Sequence, residues 1–167
     1  YLYPILSQYI SSLQSELEDI PIEFMQSSGG LTDSQSLTGK DSIMSGPAGG
    51  VIGSAAVGNA NNLDCIIGFD MGGTSTDVCH IDGTVERTWS AKVAGVHLRA
   101  PMLSIHTVAA GGGSILSFDG ARFRVGPESA GADPGPACYG RGGPLTVTDA
   151  NLLLGRILPE SFPTIFG

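Results

Sequence analysis

The chain has 167 residues, the length of one domain or of part of a larger protein. Its 41% hydrophobic content fits a folded core, and 25 glycines and 10 prolines without a Gly-X-Y period exclude collagen and fall short of a disordered composition. Eight Lys+Arg against 16 Asp+Glu give a net charge of −8 with no basic run, which argues against nucleic acid or an anionic membrane as a partner.

Leu2, Ile5, Leu6, Tyr9, Ile10, Leu13 and Leu17 recur at helical spacing and predict an amphipathic helix with Pro4 in its first turn. This opening has neither the basic start nor the cleavage site of a signal peptide. No apolar run approaches the roughly 20 residues that cross a bilayer. The chain opens inside this helix and closes on an apolar stretch, so a piece of a longer polypeptide is expected. Glu16, Glu18 and Asp19 read as a solvated helix end. Residues 22–26 predict a strand, residues 31–44 a loop, and residues 45–59 a helix with Ser45 as N-cap. Gly49, Gly50 and Gly53 inside that helix imply either tight packing or a close approach by backbone or ligand.

Residues 65–69 form a short apolar run that predicts a buried strand ending at Asp70. A turn over 71–74, a strand to Ile81, an Asp82-Gly83 turn and a strand over 84–90 follow, giving three consecutive antiparallel strands. Residues 101–108 predict another strand. A second hairpin spans 115–125 about Asp119-Gly120. Residues 126–144, crowded with Gly and Pro, predict a loop. Thr148 or Asp149 then caps a helix over 150–158. Trp89 and Tyr9 read as core or interface residues, and His80, His97 and His106 lack metal-ligand spacing. Cys65, Cys79 and Cys138 form no CxxC pair, so reduced thiols in a cytosolic protein are expected rather than zinc or disulfides. Cys138 reads as structural, with a nucleophilic role as the alternative and no base beside it except Arg141, itself read as a solvated surface residue with anion contact as the alternative.

The chemistry concentrates in Asp70-Met71-Gly72-Gly73-Thr74-Ser75-Thr76-Asp77. A carboxylate ends a strand, two glycines let the backbone bend around an anion, and three hydroxyl residues follow. Asp70 and Asp77 would repel bare phosphate but suit a magnesium ion bridging to it. A nucleoside triphosphate site fits this pattern, and the missing Walker lysine excludes a P-loop. A plain tight hairpin with Asp70 capping its turn is the alternative.

These residues carry a resemblance. The Asp-x-Gly-Gly-Thr turn resembles the phosphate loops of the actin, sugar-kinase and chaperone ATPase superfold. Residues 70–78 are similar to the hydantoinase A/oxoprolinase family, as are segments 25–30, 45–50, 110–114, 126–139 and 146–151, in order along the chain from about residue 22 onward. Stretches 108–114 and 161–167 look most like its oxoprolinase branch. The resemblance implies an α/β fold, one lobe of an actin/sugar-kinase-like (ribonuclease H-like) ATPase with antiparallel hairpins and flanking helices. It implies ATP and Mg2+ as cofactors and the opening of 5-oxo-L-proline, a lactam, to L-glutamate in glutathione metabolism. Asp70 would hold the metal and be catalytic, and Asp77 would be catalytic by placing metal or water. Gly72, Gly73, Thr74 and Ser75 would cradle phosphate, and Gly111, Gly112, Gly113 and Ser114 would run along the nucleotide, with a plain strand connection as the alternative. A cytoplasmic homodimer is expected at full length, and residues 1–167 as a fragment of its domain. That fragment would be inactive alone, because the partner hairpin of the superfold would lie upstream of Tyr1. A hydantoinase or an acetone-type carboxylase subunit stays open, as does a non-catalytic actin-like nucleotide-binding module. The 126–143 loop, unneeded for binding alone, favours an enzyme.

Overall fold

A computed structural model describes residues 2–18, 20–93 and 95–161. The chain divides into two compact units, one of Tyr1–Gly68 with Cys79–His106, the other of Phe69–Val78 with Thr107–Gly167. Strands β3 (Cys65–Met71) and β4 (Thr76–Asp82) each run through both.

In the first unit, α1 spans Tyr3–Glu16 with proline in its first turn, as the periodicity predicts, and Ile10 is its buried residue. Tyr9, expected in a core or interface, is exposed, as are Glu16 and Glu18; Asp19 lies outside the described residues. Strand β1 (Glu23–Met25) pairs antiparallel with β2 (Leu31–Asp33), with Phe24 opposite Thr32. The second strand falls where the sequence reads as loop, because three residues are too few to show an alternation. Ser27 in the intervening turn is 1% exposed. Its hydroxyl donates to the Asp41 carbonyl at 2.7 Å and accepts from the Met44 amide at 2.9 Å, so this motif residue is a buried peg between segments.

Helix α2 covers Ser45–Ala60. Ser45 is not its cap. Met44 takes that position, and the Ser45 hydroxyl donates back to the Ser42 carbonyl at 2.9 Å. Ala48 and Val51 of α2 pack with Cys79, Ile81 and Leu103 into the buried core, flanked by Ile52, Ala55, Ile66 and Val85. Gly68 makes that approach possible, since a Cβ there would lie 2.5 Å from the Cys79 sulfur and 2.9 Å from the Ser54 hydroxyl. Gly49 and Gly53 differ: a Cβ at either would meet nothing within 4 Å. Gly49→Ala and Gly53→Ala are therefore each expected to raise the stability of the 167-residue chain by about 0.5–1 kcal/mol, measured by urea unfolding. A loss of stability would show that this helix face is covered.

Strands β3, β4 and β5 (Thr84–Val85) pair in that order, and β8 (His106–Val108) pairs β4. The expectation of a buried β3 is corrected. Ile67 and Phe69 are 72% and 69% exposed, so the apolar run has one covered face and one open face. The predicted strand over 84–90 also divides. After β5 the chain leaves this sheet, and β6 (Arg87–Val93) pairs antiparallel with β7 (Val96–Leu103) as a separate ribbon with an irregular register between Thr88 and Ser90. Trp89 on β6 is 74% exposed and belongs to no core. His80 Nδ1 lies 2.8 Å from the Glu86 carboxylate on the surface, and His97 and His106 are exposed.

In the second unit, β9 (Ser114–Phe118) and β10 (Phe123–Ser129) form the expected Asp-Gly hairpin, with the Phe118 and Phe123 rings 5.2 Å apart. Asp119 accepts from the amides of Ala121 and Arg122 and from the Arg124 guanidinium, which fixes the turn. Helix α3 spans Val147–Leu153, three residues earlier in its start and shorter than predicted, and its N-cap is Thr146 rather than Thr148 or Asp149. Asp149 acts from inside the first turn, accepting from the Thr146 amide at 2.7 Å. Buried positions of this unit include Thr76, Ser114 and Thr146, and among the described residues no buried side-chain polar atom lacks a hydrogen bond. No helix among the described residues is long and apolar enough to cross a membrane.

Candidate functional site

The motif residues fall within the second unit, together with the second glycine loop. Asp70 lies near the end of β3 and is exposed, and among the described residues neither its carboxylate nor the Thr74 hydroxyl has a protein partner. The chain turns through Gly72 and Gly73, with the Gly72 amide donating to the Ser75 carbonyl at 2.9 Å. A Cβ on Gly73 would meet nothing within 4 Å, so the tip of the hairpin opens onto free space. Thr74 is exposed and Ser75 half-buried, while Thr76 is buried and donates from its hydroxyl to the Ala110 carbonyl at 2.6 Å. Asp77, half-buried, accepts from the Thr107 hydroxyl at 2.6 Å, which leaves one carboxylate oxygen outside that bond.

The segment 111–114 lies under this hairpin. The Gly112 and Gly113 amides donate to the Gly72 and Gly73 carbonyls at 3.0 and 2.6 Å. The Gly111 amide donates to the Ser114 hydroxyl at 3.0 Å, and the Ser114 amide to the Gly111 carbonyl at 3.0 Å. Gly111, Gly113 and Ser114 are buried. The four amides of this loop are therefore occupied by protein; Gly111 and Gly113 admit a close approach of the hairpin backbone, and Gly112 a close approach of the Thr148 hydroxyl. A Cβ at Gly111 would lie 2.6 Å from the Gly73 oxygen, and one at Gly113 would lie 2.9 Å from the same atom. These bonds make the loop a supporting floor beneath the hairpin, a part the expectation of a run along a nucleotide did not include.

The residues present fit a magnesium-bound phosphate. An unengaged carboxylate, an open glycine tip and an exposed hydroxyl lie within one hairpin whose backbone is held from below. Among the described residues no cluster of three or more metal-ligating side chains occurs, so a metal there would take its remaining ligands from phosphate and water.

Sequence reasoning passed over Thr107, read Thr148 only as a candidate helix cap and Thr146 only as part of a family-like segment, and misjudged the part played by Asp149. The Asp149 carboxylate accepts from the amides of Ala137 and Cys138 at 3.2 and 2.7 Å and from the Thr146 hydroxyl at 2.8 Å, which binds the Gly/Pro loop to α3. Burial raises the Cys138 thiol, and its hydrogen bond to Asp149 adds to this, to about 11. Burial works against the Asp149 charge, but the bonds from Cys138 and Thr146 outweigh it and the carboxyl is lowered. A thiol held this high favours the structural reading of Cys138 over a nucleophilic one. At pH 8 about one thiol in a thousand would be ionised, so iodoacetamide is expected to label it far more slowly than a free cysteine; labelling at the free rate would refute this. Arg141 lies 3.8 Å from Asp133 and is exposed.

This second unit's hairpin and the α/β arrangement around it define the class. The same fold occurs in a nucleotide-free acetone carboxylase from work on ATP-dependent acetone carboxylation, with a TM-score of 0.78 and 29% identity over 94% of this chain and 23% of that one. It occurs also in an ATP-dependent caprolactamase of Pseudomonas jessenii, with a TM-score of 0.70 and 36% identity over 94% of this chain and 24% of that one. These are the α/β ATPase lobes of a single family, as the resemblance implied. Residues 1–167 match the family model described as hydantoinase/oxoprolinase, and the chain belongs to that family. The match includes the first helix, beyond the segments that carried the resemblance. A 5-oxoprolinase of Saccharomyces cerevisiae is 56% identical over all of this chain, which spans 13% of that relative's length.

Proposed function

We propose that this chain is one lobe of an ATP-dependent 5-oxoprolinase, contributing the phosphate side of a site that opens 5-oxo-L-proline to L-glutamate. The observation that carries the reading is the hairpin tip, where Asp70 stands unengaged beside the open face of Gly73. Identity of 56% to a 5-oxoprolinase over the whole chain supports the lactam, and likeness to a caprolactamase supports the ring-opening chemistry.

A lactam resists water because nitrogen donates into its carbonyl, and ATP supplies a phosphoryl group that makes the amide oxygen a leaving group. The chain's own part is placement and charge. Asp70 holds the magnesium, directly or through water, and Gly72 and Gly73 let the backbone come close to phosphate oxygens. The Thr74 and Ser75 hydroxyls donate to those oxygens. Asp77, oriented by Thr107, sets the direction of water or of a metal-bound ligand. Gly111, Gly112, Gly113 and Ser114 keep the hairpin at one height. Magnesium as the metal, glutathione turnover as the setting, a cytoplasmic homodimer as the working form, and a second phosphate hairpin elsewhere in the full-length polypeptide belong to this proposal.

The test is ATP hydrolysis by a full-length enzyme carrying this sequence, with magnesium, in the presence and absence of 5-oxoproline. Stimulation of about tenfold or more is expected on the scale of a correctly positioned substrate. Stimulation by a hydantoin or a ketone instead would move the substrate within the family. Nucleotide binding without turnover would make the chain a binding module.

A further inference from the structure

One peptide group links α3 to the hairpin tip. The Gly112 carbonyl accepts two hydrogen bonds from a single residue, from the Thr148 amide at 2.8 Å and from the Thr148 hydroxyl at 2.9 Å. The nitrogen of that same peptide group is the Gly113 amide, which donates to the Gly73 carbonyl at 2.6 Å. A peptide that accepts strongly at its oxygen is polarised and donates more strongly at its nitrogen. Thr148 therefore bonds to one end of a peptide whose other end grips the turn between Gly73 and Thr74. The fit is close, because a Cβ on Gly112 would lie 2.7 Å from the Thr148 hydroxyl oxygen.

Thr148 is itself held in place. It occupies the first turn of α3, whose cap residue Thr146 is 0% exposed and bonded through both amide and hydroxyl to Asp149. Asp149 in turn accepts from the Ala137 and Cys138 amides. A run of hydrogen bonds thus extends from the Cys138 loop through α3 to the hairpin.

We propose that Thr148 is a positioning residue for the phosphate hairpin, its doubled hydrogen bond to the Gly112 carbonyl setting the height at which Gly73 and Thr74 meet the phosphates. This rests on the reading of the hairpin as the magnesium–nucleotide site. Thr148 touches no phosphate. It acts through the 112–113 peptide, and removing its hydroxyl leaves the Thr148 amide as the remaining one of the two donors to that peptide's oxygen.

The test uses a full-length enzyme carrying this sequence, with Thr148→Val and Thr148→Ser, and Thr148→Ala should the valine variant fail to fold. Amide hydrogen exchange at Gly113 is expected to quicken about fivefold to tenfold in the valine or alanine variant and to stay at the wild-type rate in the serine variant, as for one lost hydrogen bond. The KM for ATP is expected to rise by a similar factor in the variants lacking the hydroxyl, with the KM for 5-oxoproline unchanged and the serine variant restored. Unchanged exchange at Gly113 overturns the proposal whatever the enzyme does with ATP. Faster exchange with an unchanged KM for ATP overturns it too, by showing that the hairpin does not feel the loss. A wild-type enzyme that neither binds nor hydrolyses ATP defeats the nucleotide reading instead, and the exchange result still decides whether Thr148 holds the loop.

Discussion

Replacing Asp70 by alanine in a full-length enzyme carrying this sequence is expected to lower kcat for lactam hydrolysis by about a thousandfold or more, with the melting temperature unchanged. The two halves of that expectation have separate causes. Asp70 is exposed near the end of β3 and has no partner among the described residues, so its removal breaks no protein contact and opens no cavity. Its value lies in charge. A carboxylate beside an open glycine turn holds the cation that neutralises phosphate, and an alanine there leaves the phosphate charge without that counter-ion. Asp70→Asn keeps the shape and loses the charge, and is expected to fall nearly as far. Steady-state kinetics with a thermal melt on each variant settle the matter. Activity within about tenfold of wild type would end the metal role, since loss of one preorganised charge contact costs more than that.

The second large effect is expected at Gly111. A Cβ there would lie 2.6 Å from the Gly73 oxygen, 2.7 Å from the Gly73 carbonyl carbon and 2.8 Å from the Gly72 oxygen. All three are backbone atoms of the hairpin, with no flexible side chain to give way, so the hairpin must move. Gly111→Ala is expected to cost about 1–3 kcal/mol of stability and to lower ATP turnover on the order of a hundredfold, the scale of a displacement of about 1 Å in a positioned site. Gly73→Ala supplies the contrast. Its Cβ meets nothing within 4 Å, so stability is expected to hold while activity falls, because the methyl occupies space reserved for the ligand. Urea unfolding and kcat on both variants separate a buttress from a contact. A stable and active Gly111→Ala enzyme would mean that the loop is not the floor of the hairpin.

The hairpin was legible because its chemistry is local. Asp70, Gly72, Gly73, Thr74 and Asp77 follow one another within a few residues, so bend, carboxylate and hydroxyls can be read together, and the family could be recognised from them. The Asp119-Gly120 hairpin was legible for the same reason. Other features hid because their partners are distant in sequence. Thr107 stands 30 residues from Asp77 and Thr148 stands 36 from Gly112, and a lone threonine gives no sign of which acceptor it will meet. Asp149 resembled a cap because Asp commonly caps helices, yet its bonds to Ala137 and Cys138 come from a loop whose path no local rule predicts.

The glycines mark the same division. Sequence alone marked Gly111, Gly112 and Gly113 as a second glycine loop, expected along the nucleotide or as a plain strand connection. It could not say what comes close. The tertiary structure brings the backbone of Gly72 and Gly73 against Gly111 and Gly113 and the Thr148 hydroxyl against Gly112, with the Gly112 and Gly113 amides spent on the Gly72 and Gly73 carbonyls. Composition and local pattern determined the turns, the strand ends and the chemistry a residue type can offer. Which of those groups remain open to a ligand was decided by long-range hydrogen bonding, since a donor already satisfied inside the fold is no longer available outside it.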